Sequence, residues 1–258
     1  MAISIKTEHE IQLMQESANI LIEAHDVIAE YIKIGKTTKE IDAVAEKFIR
    51  SKNATPSFKG LYGFPAATCI SINEEVVHGI PSNRQIKDGD LVSVDLGVYF
   101  QGFHSDAART HAVGNVSPES IKLMQVTEQC FFEGIKYAKA GNHLGQVSKA
   151  IQDYAEDHGY GVVRDLCGHG IGRAVHEDPQ VPNYKPPGRG IKLKAGMALA
   201  IEPMINMGTW QVRTLSDNWT IITRDGLPSA HYENTIIVTD GDPLILTLRA
   251  DTKEVKNG

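Results

Sequence analysis

The segment that decides the fold is residues 91–110, which read LVSVDLGVYFQGFHSDAART. Its first eight residues alternate apolar side chains with small or polar ones, a pattern that is typical of a β-strand. The next four residues end in Gly102 and predict a tight turn, so the segment should fold back on itself as a hairpin. If this hairpin is symmetric about the bond between Phe100 and Gln101, Asp95 lies directly opposite Asp106.

Two opposed aspartates would place two negative charges on one face of the hairpin. Directly opposed residues have Cβ atoms roughly 5 Å apart, and like charges at that separation destabilise the pair. The arrangement is therefore expected only where the carboxylates share a cation or a proton. The alternative is a register shifted by one residue, which would send one aspartate to the solvent face. The hairpin alone does not distinguish these two hypotheses, and the rest of the chain must.

The composition is that of an ordinary globular protein, and the 258 residues allow one large domain or two small ones. A net charge of −6 argues against a protein that binds nucleic acid specifically, since such proteins usually carry a basic surface. Residues 185–194 form the one concentrated basic segment, and its simplest explanation is a solvated loop. The chain shows no heptads and no large exposed apolar pattern, so we expect a monomer.

The sequence predicts neither export nor insertion into a membrane. No stretch approaches the roughly 18 consecutive apolar residues that cross a bilayer, and the first eight residues have no apolar signal core. The three cysteines, Cys69, Cys130 and Cys167, are widely spaced, which predicts neither a disulfide framework nor a Cys-x-x-Cys metal site. We therefore expect a cytoplasmic protein with no membrane contact.

Signals for two helices followed by strands occur twice along the chain. Thr7 and Thr37 each open a capping box, and Ser117 is an N-cap followed by proline at the first helical position. A fourth helix is marked by apolar residues from Leu144 to Tyr154 at helical spacing. The predicted helices end near Tyr31, Ser51, Lys139 and Gly159, and the predicted strands of the second half are residues 197–206, 220–223 and 232–239.

The two halves can be aligned with each other, which indicates an internal duplication. Cys69, His78 and Pro81 match Cys167, His176 and Pro179 at a constant offset, and Asp95 matches Glu202. We predict one catalytic domain, residues 1–258, with repeats of approximately 7–113 and 117–240. A pseudo-two-fold axis between the repeats would join both strand sets in one sheet, with the acidic residues on one face and the helices on the other.

Five residues of these repeats are candidates for one metal site: Asp95, Asp106, His169, Glu202 and Glu233. The histidine lies between glycines that permit close approach, and both glutamates adjoin apolar runs that we expect to be buried. Buried acids are costly unless they are paired or bind a metal. A salt bridge would explain any one of them, but a metal explains all five. The set suits Mn²⁺, Fe²⁺, Co²⁺ or Zn²⁺, and four carboxylates predict two ions about 3.5–4 Å apart.

Short motifs around these residues resemble those of the type I methionine aminopeptidases. They are residues 73–81 (NEEVVHGIP), the hairpin 94–106, and residues 168–172 (GHGIG), 201–203 (IEP) and 232–235 (YENT). The resemblance extends from about residue 5 to residue 248. It implies an α/β pita-bread fold, in which a curved, antiparallel-rich sheet is covered by helices. It also implies a cytoplasmic, metal-dependent enzyme that removes N-terminal methionine from nascent proteins when the second residue is small.

The resemblance implies a role for each candidate ligand. Asp95 would bind one metal, and Asp106 and Glu233 would bridge both. His169 and Glu202 would complete the coordination of the other metal. Water activated by the metals would attack the first peptide carbonyl, with Glu202 as the proton shuttle.

The same resemblance assigns two histidines and an apolar pocket to the substrate. His176 would hydrogen-bond the carbonyl and the tetrahedral intermediate, and His78 would contact the scissile amide nitrogen. The pocket for the methionine side chain would be apolar and aromatic, formed by Phe58, Tyr62, Phe64, Cys69 and Trp219. The sequence leaves open whether Leu61 or Tyr62 faces the substrate, what Val175 does, and whether some of these aromatic residues are ordinary core.

Other histidines carry weaker signals. Strand alternation places His104 on the face of Asp106, where we expect it beside the site or in a structural role. His231 has no motif and is assigned no role.

Two other functions fit parts of this pattern. An Xaa-Pro aminopeptidase of the same fold usually carries an additional N-terminal domain, for which a first helix starting near residue 7 leaves no room. A non-catalytic relative that binds peptide, protein or RNA tends to lose metal ligands, whereas all five are present here. The resemblance also allows transient contact with the ribosome, for which the basic segment 185–194 is the candidate.

Overall fold

The computed structural model describes residues 3–249, and this part of the chain contains four α-helices and fifteen short strands. The helices are α1 (Glu8–Tyr31), α2 (Thr38–Ser51), α3 (Pro118–Ile135) and α4 (Leu144–Asp157). The strands are β1 (Thr55–Pro56), β2 (Cys69–Ile72), β3 (Glu75–Val77), β4 (Leu91–Phe100), β5 (Phe103–Ala112), β6 (Gly161–Val162), β7 (Cys167–Gly170), β8 (Glu177–Pro182), β9 (Ala198–Ile201), β10 (Met204–Asn206), β11 (Val212–Thr214), β12 (Ile221–Thr223), β13 (Ser229–His231), β14 (Asn234–Ile237) and β15 (Leu244–Ile245). None of the helices in residues 3–249 has both the length and the hydropathy to cross a membrane.

Local capping explains where the helices begin. The Thr7 side chain accepts the amide proton of Glu10, whose carboxylate accepts the Thr7 amide proton, and Thr37 and Glu40 repeat this capping box at α2. Each box satisfies backbone donors that the first helical turn leaves free. Ser117 caps α3 through its side chain, which accepts the amide proton of Ser120, and proline is next along the chain.

Helix α3 is shorter than its apolar pattern predicts. It ends at Ile135 rather than near Lys139. The backbone beyond it bonds to distant segments, with the Ala140 amide donating to Thr239 and the Gly141 amide donating to Leu193. These long-range hydrogen bonds replace those that would have continued the helix.

The β4–β5 hairpin forms, but with a register that differs from the prediction. Its turn consists of two residues, Gln101 and Gly102, with φ of 47° and 87°, a pair of positive values that is typical of a type I′ turn. Asp95 therefore pairs with Ala108, and Asp106 pairs with Gly97. The prediction that Asp95 lies directly opposite Asp106 was wrong, because the residue opposite Asp95 is two positions further along β5. Because strand side chains alternate with a period of two, both carboxylates still lie on one face.

The strands form four separate hydrogen-bonded sheets rather than the single sheet that was predicted. Their strand orders are β1-β4-β2 with β5 on β4, β13-β10-β6, β11-β12-β3, and β15-β14-β9-β7-β8. Residues 197–206 are two strands, since Pro203 has no amide proton for a ladder and β9 ends at Ile201. The partner strand is interrupted at the same level, between β13 and β14.

Side-chain hydroxyls connect the hairpin to the second half of the chain. The Thr235 hydroxyl accepts the amide proton of Asp106 and donates to the Asp106 carbonyl, at 3.0 and 2.9 Å. The Thr110 hydroxyl makes the same pair of contacts with the backbone of His231, both at 2.9 Å. Midway between them the Glu233 amide donates to the carbonyl of Ala108. We call this contact between β5 and residues 231–235 the threonine seam.

Each half has a large apolar core, and a smaller buried cluster that includes Phe103 and Ile237 joins the two halves. Helices α1 and α2 pack on the hairpin through residues such as Leu21 and Ile41 against Val94. Helices α3 and α4 pack on the sheets of the second half, where Phe131 and Leu199 belong to one buried cluster. The helices thus cover the outside of the sheets and leave the acidic residues at the threonine seam.

A buried ion pair connects the N-terminal segment to the first residue of β8. The Lys6 ammonium group is 2.7 Å from Glu177, and their side chains are 1% and 17% exposed. Glu177 also accepts the amide protons of Arg173 and Ala174. Removing one partner of a buried pair leaves an uncompensated charge, which costs several kcal/mol.

We expect the substitution Lys6→Met to lower the free energy of unfolding by about 3 kcal/mol, a shift in melting temperature of roughly 10 °C for a chain of this size. Calorimetric melting of metal-free protein measures the change. The matched control is Lys136→Met, because Lys136 is 60% exposed in its ion pair with Glu133 and its loss should leave the melting temperature unchanged. Equal melting temperatures for both variants would contradict the prediction.

Candidate metal centre

One cavity at the threonine seam brings together all five predicted ligands. It is lined by Asp95, Asp106, His169, Glu202 and Glu233, together with His78, His176, Phe58, Leu61, Phe64 and Cys69. These residues come from both halves of the chain and from at least five strands or strand ends. The cavity therefore exists only when the two halves are packed together.

The backbone around the cavity explains how each ligand points inward. Asp95 and Asp106 lie on the same face of the β4–β5 hairpin. Glu202 follows β9 and Glu233 precedes β14, at the level where both strands are interrupted. His169 lies on β7, next to β9. Interruption of the ladder beside the cavity leaves room there for side chains.

The candidate ligand atoms are close to one another. Nε2 of His169 lies 3.6 Å from Oε1 of Glu202 and 3.9 Å from Oδ2 of Asp106. One ligand atom each from Asp106, His169 and Glu233 lie within 4.8 Å of one another. Nδ1 of His169 is 2.9 Å from the carbonyl oxygen of Gly170, so Nδ1 carries the proton and the Nε2 lone pair faces the carboxylates.

Burial and mutual repulsion raise the pKa values of the carboxyl groups. Burial raises the pKa of Asp95, Glu202 and Glu233 well above their usual range, and repulsion by the Asp106 carboxylate adds to the effect. The pKa of Asp106 itself is raised by burial to about 7. The acidic cluster therefore holds protons at neutral pH unless another cation replaces them.

Unmatched acceptors show that the cluster fits a metal. Within residues 3–249, Oδ1 of Asp95, Oδ1 of Asp106 and Oε1 of Glu233 are buried without a hydrogen-bond donor. Buried acceptors normally have a partner, and a divalent cation would be that partner for all three oxygens. Four carboxylates and one imidazole suit a first-row divalent metal. A divalent cation therefore fits this donor set.

The two remaining histidines of the cavity are neutral at physiological pH. Burial lowers the pKa of His78 to about 4, and it also lowers the pKa of His176. The His176 ring packs edge-on against His169 at 4.5 Å between ring centroids. Each of the two rings therefore has one nitrogen that can donate a proton and one that can accept.

The apolar end of the cavity contains three of the five predicted pocket residues. Phe58, Phe64 and Cys69 line it, and Trp219 packs against the Phe64 ring at 5.0 Å without lining the cavity. Val175 belongs to the same buried cluster. This end has the apolar and aromatic character that a thioether side chain needs.

The structure distinguishes the two residues that the sequence left open. Leu61 lines the cavity, whereas the Tyr62 side chain is 76% exposed and lies outside it. Tyr62 has φ of 50°, an unusual backbone conformation for a tyrosine, and its ring stacks on His176 at 5.8 Å. Tyr62 thus flanks the cavity next to a predicted catalytic residue rather than forming its wall.

One residue of this region was missed from the sequence, and another lies outside the cavity. His231 is buried with Nε2 at 3.9 Å from both Glu202 and Glu233. Its position two residues before Glu233 was the available signal, since alternate residues of a strand share a face. His104 instead contacts Ser57 through Nδ1 and does not line the cavity.

Comparison with known proteins agrees with this geometry. A model of metallopeptidase family M24 matches residues 12–240. The chain is 56% identical to the methionine aminopeptidase of Clostridium perfringens over 246 residues, which is 95% of this chain and 99% of that protein.

Solved structures give the same result and confirm the predicted pita-bread fold. The crystal structure of methionine aminopeptidase from Thermotoga maritima matches with a TM-score of 0.93 and 43% identity, over 96% of this chain and 100% of that one. Prolidase from Pyrococcus furiosus matches with a TM-score of 0.77 and 26% identity, over 95% of this chain and 65% of that one. The chain belongs to metallopeptidase family M24, and within that family to the methionine aminopeptidases.

Proposed function

We propose that this protein is a metal-dependent aminopeptidase that removes N-terminal methionine from nascent proteins and peptides when the second residue is small. The observation that carries the proposal is a single cavity with the five candidate metal ligands at one end, three of them close enough to share an ion, and an apolar wall at the other. Such a cavity can hold an apolar first side chain while its carbonyl lies at the metal-binding end. Two divalent ions are proposed because four carboxylates exceed the need of one.

In the proposed mechanism the metal ligands, the two histidines and the pocket residues have different roles. Asp95, Asp106, His169, Glu202 and Glu233 would hold Co²⁺, Mn²⁺, Fe²⁺ or Zn²⁺. Bound divalent metals would polarise the scissile carbonyl and lower the pKa of water. Glu202 would accept the proton of the attacking water and pass it to the departing amine.

Histidine side chains would position the peptide bond. His176 would donate a hydrogen bond to the carbonyl oxygen as negative charge develops on it, and His78 would contact the scissile amide nitrogen. Burial lowers the pKa values of both rings, which favours the neutral form, and in that form each ring has one N–H that can donate and one nitrogen that can accept. Phe58, Leu61, Phe64 and Cys69 would contact the methionine side chain, with Trp219 supporting Phe64 and Tyr62 at the rim.

An Xaa-Pro peptidase is the second candidate, because a prolidase shares the fold. Its match is weaker in identity and in TM-score than that of the Thermotoga protein, and the chain covers only 65% of its length. The apolar end of the cavity also favours a long apolar first residue. The first candidate is therefore preferred.

Three further proposals concern the cellular location of the protein, its contact with the ribosome and its oligomeric state. A cytoplasmic location is supported by Cys69, Cys130 and Cys167, which are free thiols in the structure. Transient ribosome contact would use the basic segment 185–194, where Lys185 and Arg189 line a surface cavity with Lys149. A monomeric state remains a prediction from the sequence.

Peptide hydrolysis tests the proposed activity. Metal-stripped protein would be reloaded without oxygen with Mn²⁺, Fe²⁺, Co²⁺ or Zn²⁺ and given Met-Ala-Ser, Met-Lys-Ser and Ala-Pro-Ser, with free amino acids measured by chromatography. We expect methionine from Met-Ala-Ser alone, and none from the stripped protein. Release of alanine from Ala-Pro-Ser would favour the prolyl peptidase, and no release with any metal would favour a binding protein.

Substitution of Asp106 and of His176 should separate metal binding from catalysis. Asp106→Asn removes a proposed bridging charge, so we expect cation affinity to fall by more than the 10–100-fold typical of residues outside the ligand set. His176→Ala should lower kcat by roughly 10²–10³-fold, as loss of an oxyanion donor does, with metal content unchanged. His158→Ala, an exposed histidine after α4, is the control. Metal loss in His176→Ala would place that ring in the ligand set.

Metal affinity should depend on pH in a defined direction. The pKa of Asp106 is about 7 and the other three carboxyl pKa values are also raised by burial, so a cation must displace protons that the metal-free site holds. The dissociation constant for Mn²⁺ should therefore fall between pH 6 and pH 8, by up to roughly tenfold per unit for each proton displaced. Titration calorimetry in buffers of different ionisation enthalpy measures the protons released.

The stability of the metal-free protein should change in the opposite direction. A carboxyl group whose pKa is raised in the folded state contributes stability that is complete below its unfolded-state pKa and is lost as pH rises through its folded-state pKa. The melting temperature of metal-free protein should therefore fall as pH rises through about 7, the pKa of Asp106 in the folded state. A pH-independent affinity with no proton release would contradict both expectations.

A further inference from the structure

His231 has no part in the mechanism proposed above, yet its ring lies against the candidate metal centre. The residue ends β13 and is 1% exposed. Nε2 lies 3.9 Å from Oε2 of Glu202 and 3.9 Å from Oε2 of Glu233. A single ring nitrogen thus faces two of the proposed ligands.

Hydrogen bonds hold the main chain of His231 in place. The Thr110 hydroxyl bonds both the amide and the carbonyl of His231, and His231 pairs with Met204 in the adjacent strand. These contacts hold the main chain of His231, and the burial of the residue keeps its ring from turning toward solvent. The orientation of the ring toward the glutamates is therefore a property of the fold.

The facing nitrogen is unsatisfied. Within residues 3–249, Nε2 of His231 is buried and has no hydrogen-bond partner. Buried polar atoms without a partner are rare and call for an explanation. The separation of 3.9 Å exceeds a hydrogen bond by about 1 Å, a distance that a small rotation of either glutamate side chain covers. Oε1 of Glu233 is likewise buried without a hydrogen-bond partner.

The ring approaches the carboxylates from outside the metal-binding cavity. His231 does not line the cavity that holds the five ligands. It lines a neighbouring cavity with Thr110, His111 and Glu128. A side chain in this position can contact the glutamates from behind, away from the cavity in which cations would lie.

We propose that His231 is a positioning residue that donates the Nε2 proton to the carboxylates of Glu202 and Glu233 and holds them in the orientation that binds the cations. The inference rests on the proposed function, since it assigns His231 to the same metal centre. The role acts through the two glutamates and not through contact with the substrate. Residues with this role typically change metal affinity by roughly 10–100-fold when they are removed.

Two substitutions separate the hydrogen bond from the shape of the side chain. His231→Leu fills similar space without a donor, and His231→Gln keeps an N–H donor. The control is His25→Leu, which removes a buried imidazole whose Nε2 contacts the carbonyl of Ala107 rather than a carboxylate. Titration calorimetry of metal-stripped protein gives the Mn²⁺ dissociation constant, and the absorption spectrum of the Co²⁺-loaded protein reports the number and type of ligands.

We expect a 10–100-fold higher dissociation constant for His231→Leu, a change below threefold for His231→Gln and for His25→Leu, and a Co²⁺ spectrum of unchanged form. Wild-type affinity in His231→Leu would overturn the inference and leave the proposed function standing. A Co²⁺ spectrum that loses a nitrogen ligand in either His231 variant would also overturn it, since the ring would then bind the cation itself. Failure of the wild-type protein to bind any metal would instead overturn the proposed function.

Discussion

The enclosure of four carboxyl groups in one cavity is the constraint on which the rest of this structure depends. Burial and mutual repulsion raise their pKa values, because a charge in a poorly solvated site is costly and several like charges are more so. The folded chain therefore needs protons or cations at this place. The buried carboxylate oxygens that lack a hydrogen-bond donor are the atoms that a bound cation would contact, and its charge would offset theirs.

Such a cluster can exist only if the backbone around it is held firmly by other contacts. The threonine seam does this by using hydroxyl groups in place of ladder hydrogen bonds, so that Asp106 and Glu233 lie on two segments of the chain in fixed register. Arg109 reinforces the seam from behind by donating to the carbonyls of Ala108 and Glu233. The positive charge of the guanidinium group also lowers the pKa of Glu233, against the larger effect of burial.

The same construction explains how the cavity can have two chemically different ends. The acidic end is formed where strands are interrupted or paired through hydroxyls, which exposes polar side chains to a common space. The apolar end is formed by the segment from Phe58 to Cys69, which packs as a small cluster of its own. A substrate that has an apolar first side chain next to a peptide carbonyl matches both ends at once. Neutral histidines between the ends can hydrogen-bond that carbonyl without adding charge to the acidic cluster.

The sequence by itself determined the features that depend on neighbouring residues. Capping boxes at Thr7 and Thr37 gave the helix starts, and strand alternation placed Asp95 and Asp106 on one face. The set of five candidate ligands also came from the sequence, and the structure brings all five to one cavity. These features follow from spacings of two to four residues, which do not require knowledge of the distant chain.

Tertiary structure alone decided the features that depend on distant contacts. The hairpin register depends on a positive φ at Gln101, and the early end of α3 depends on hydrogen bonds from Ala140 and Gly141 to remote segments. The division into four sheets, the outward position of Tyr62 and the approach of His231 to two glutamates likewise arise where the two halves meet. A local pattern gives the face on which a side chain lies, but only the packed fold gives its partner, because that partner comes from the other half of the chain.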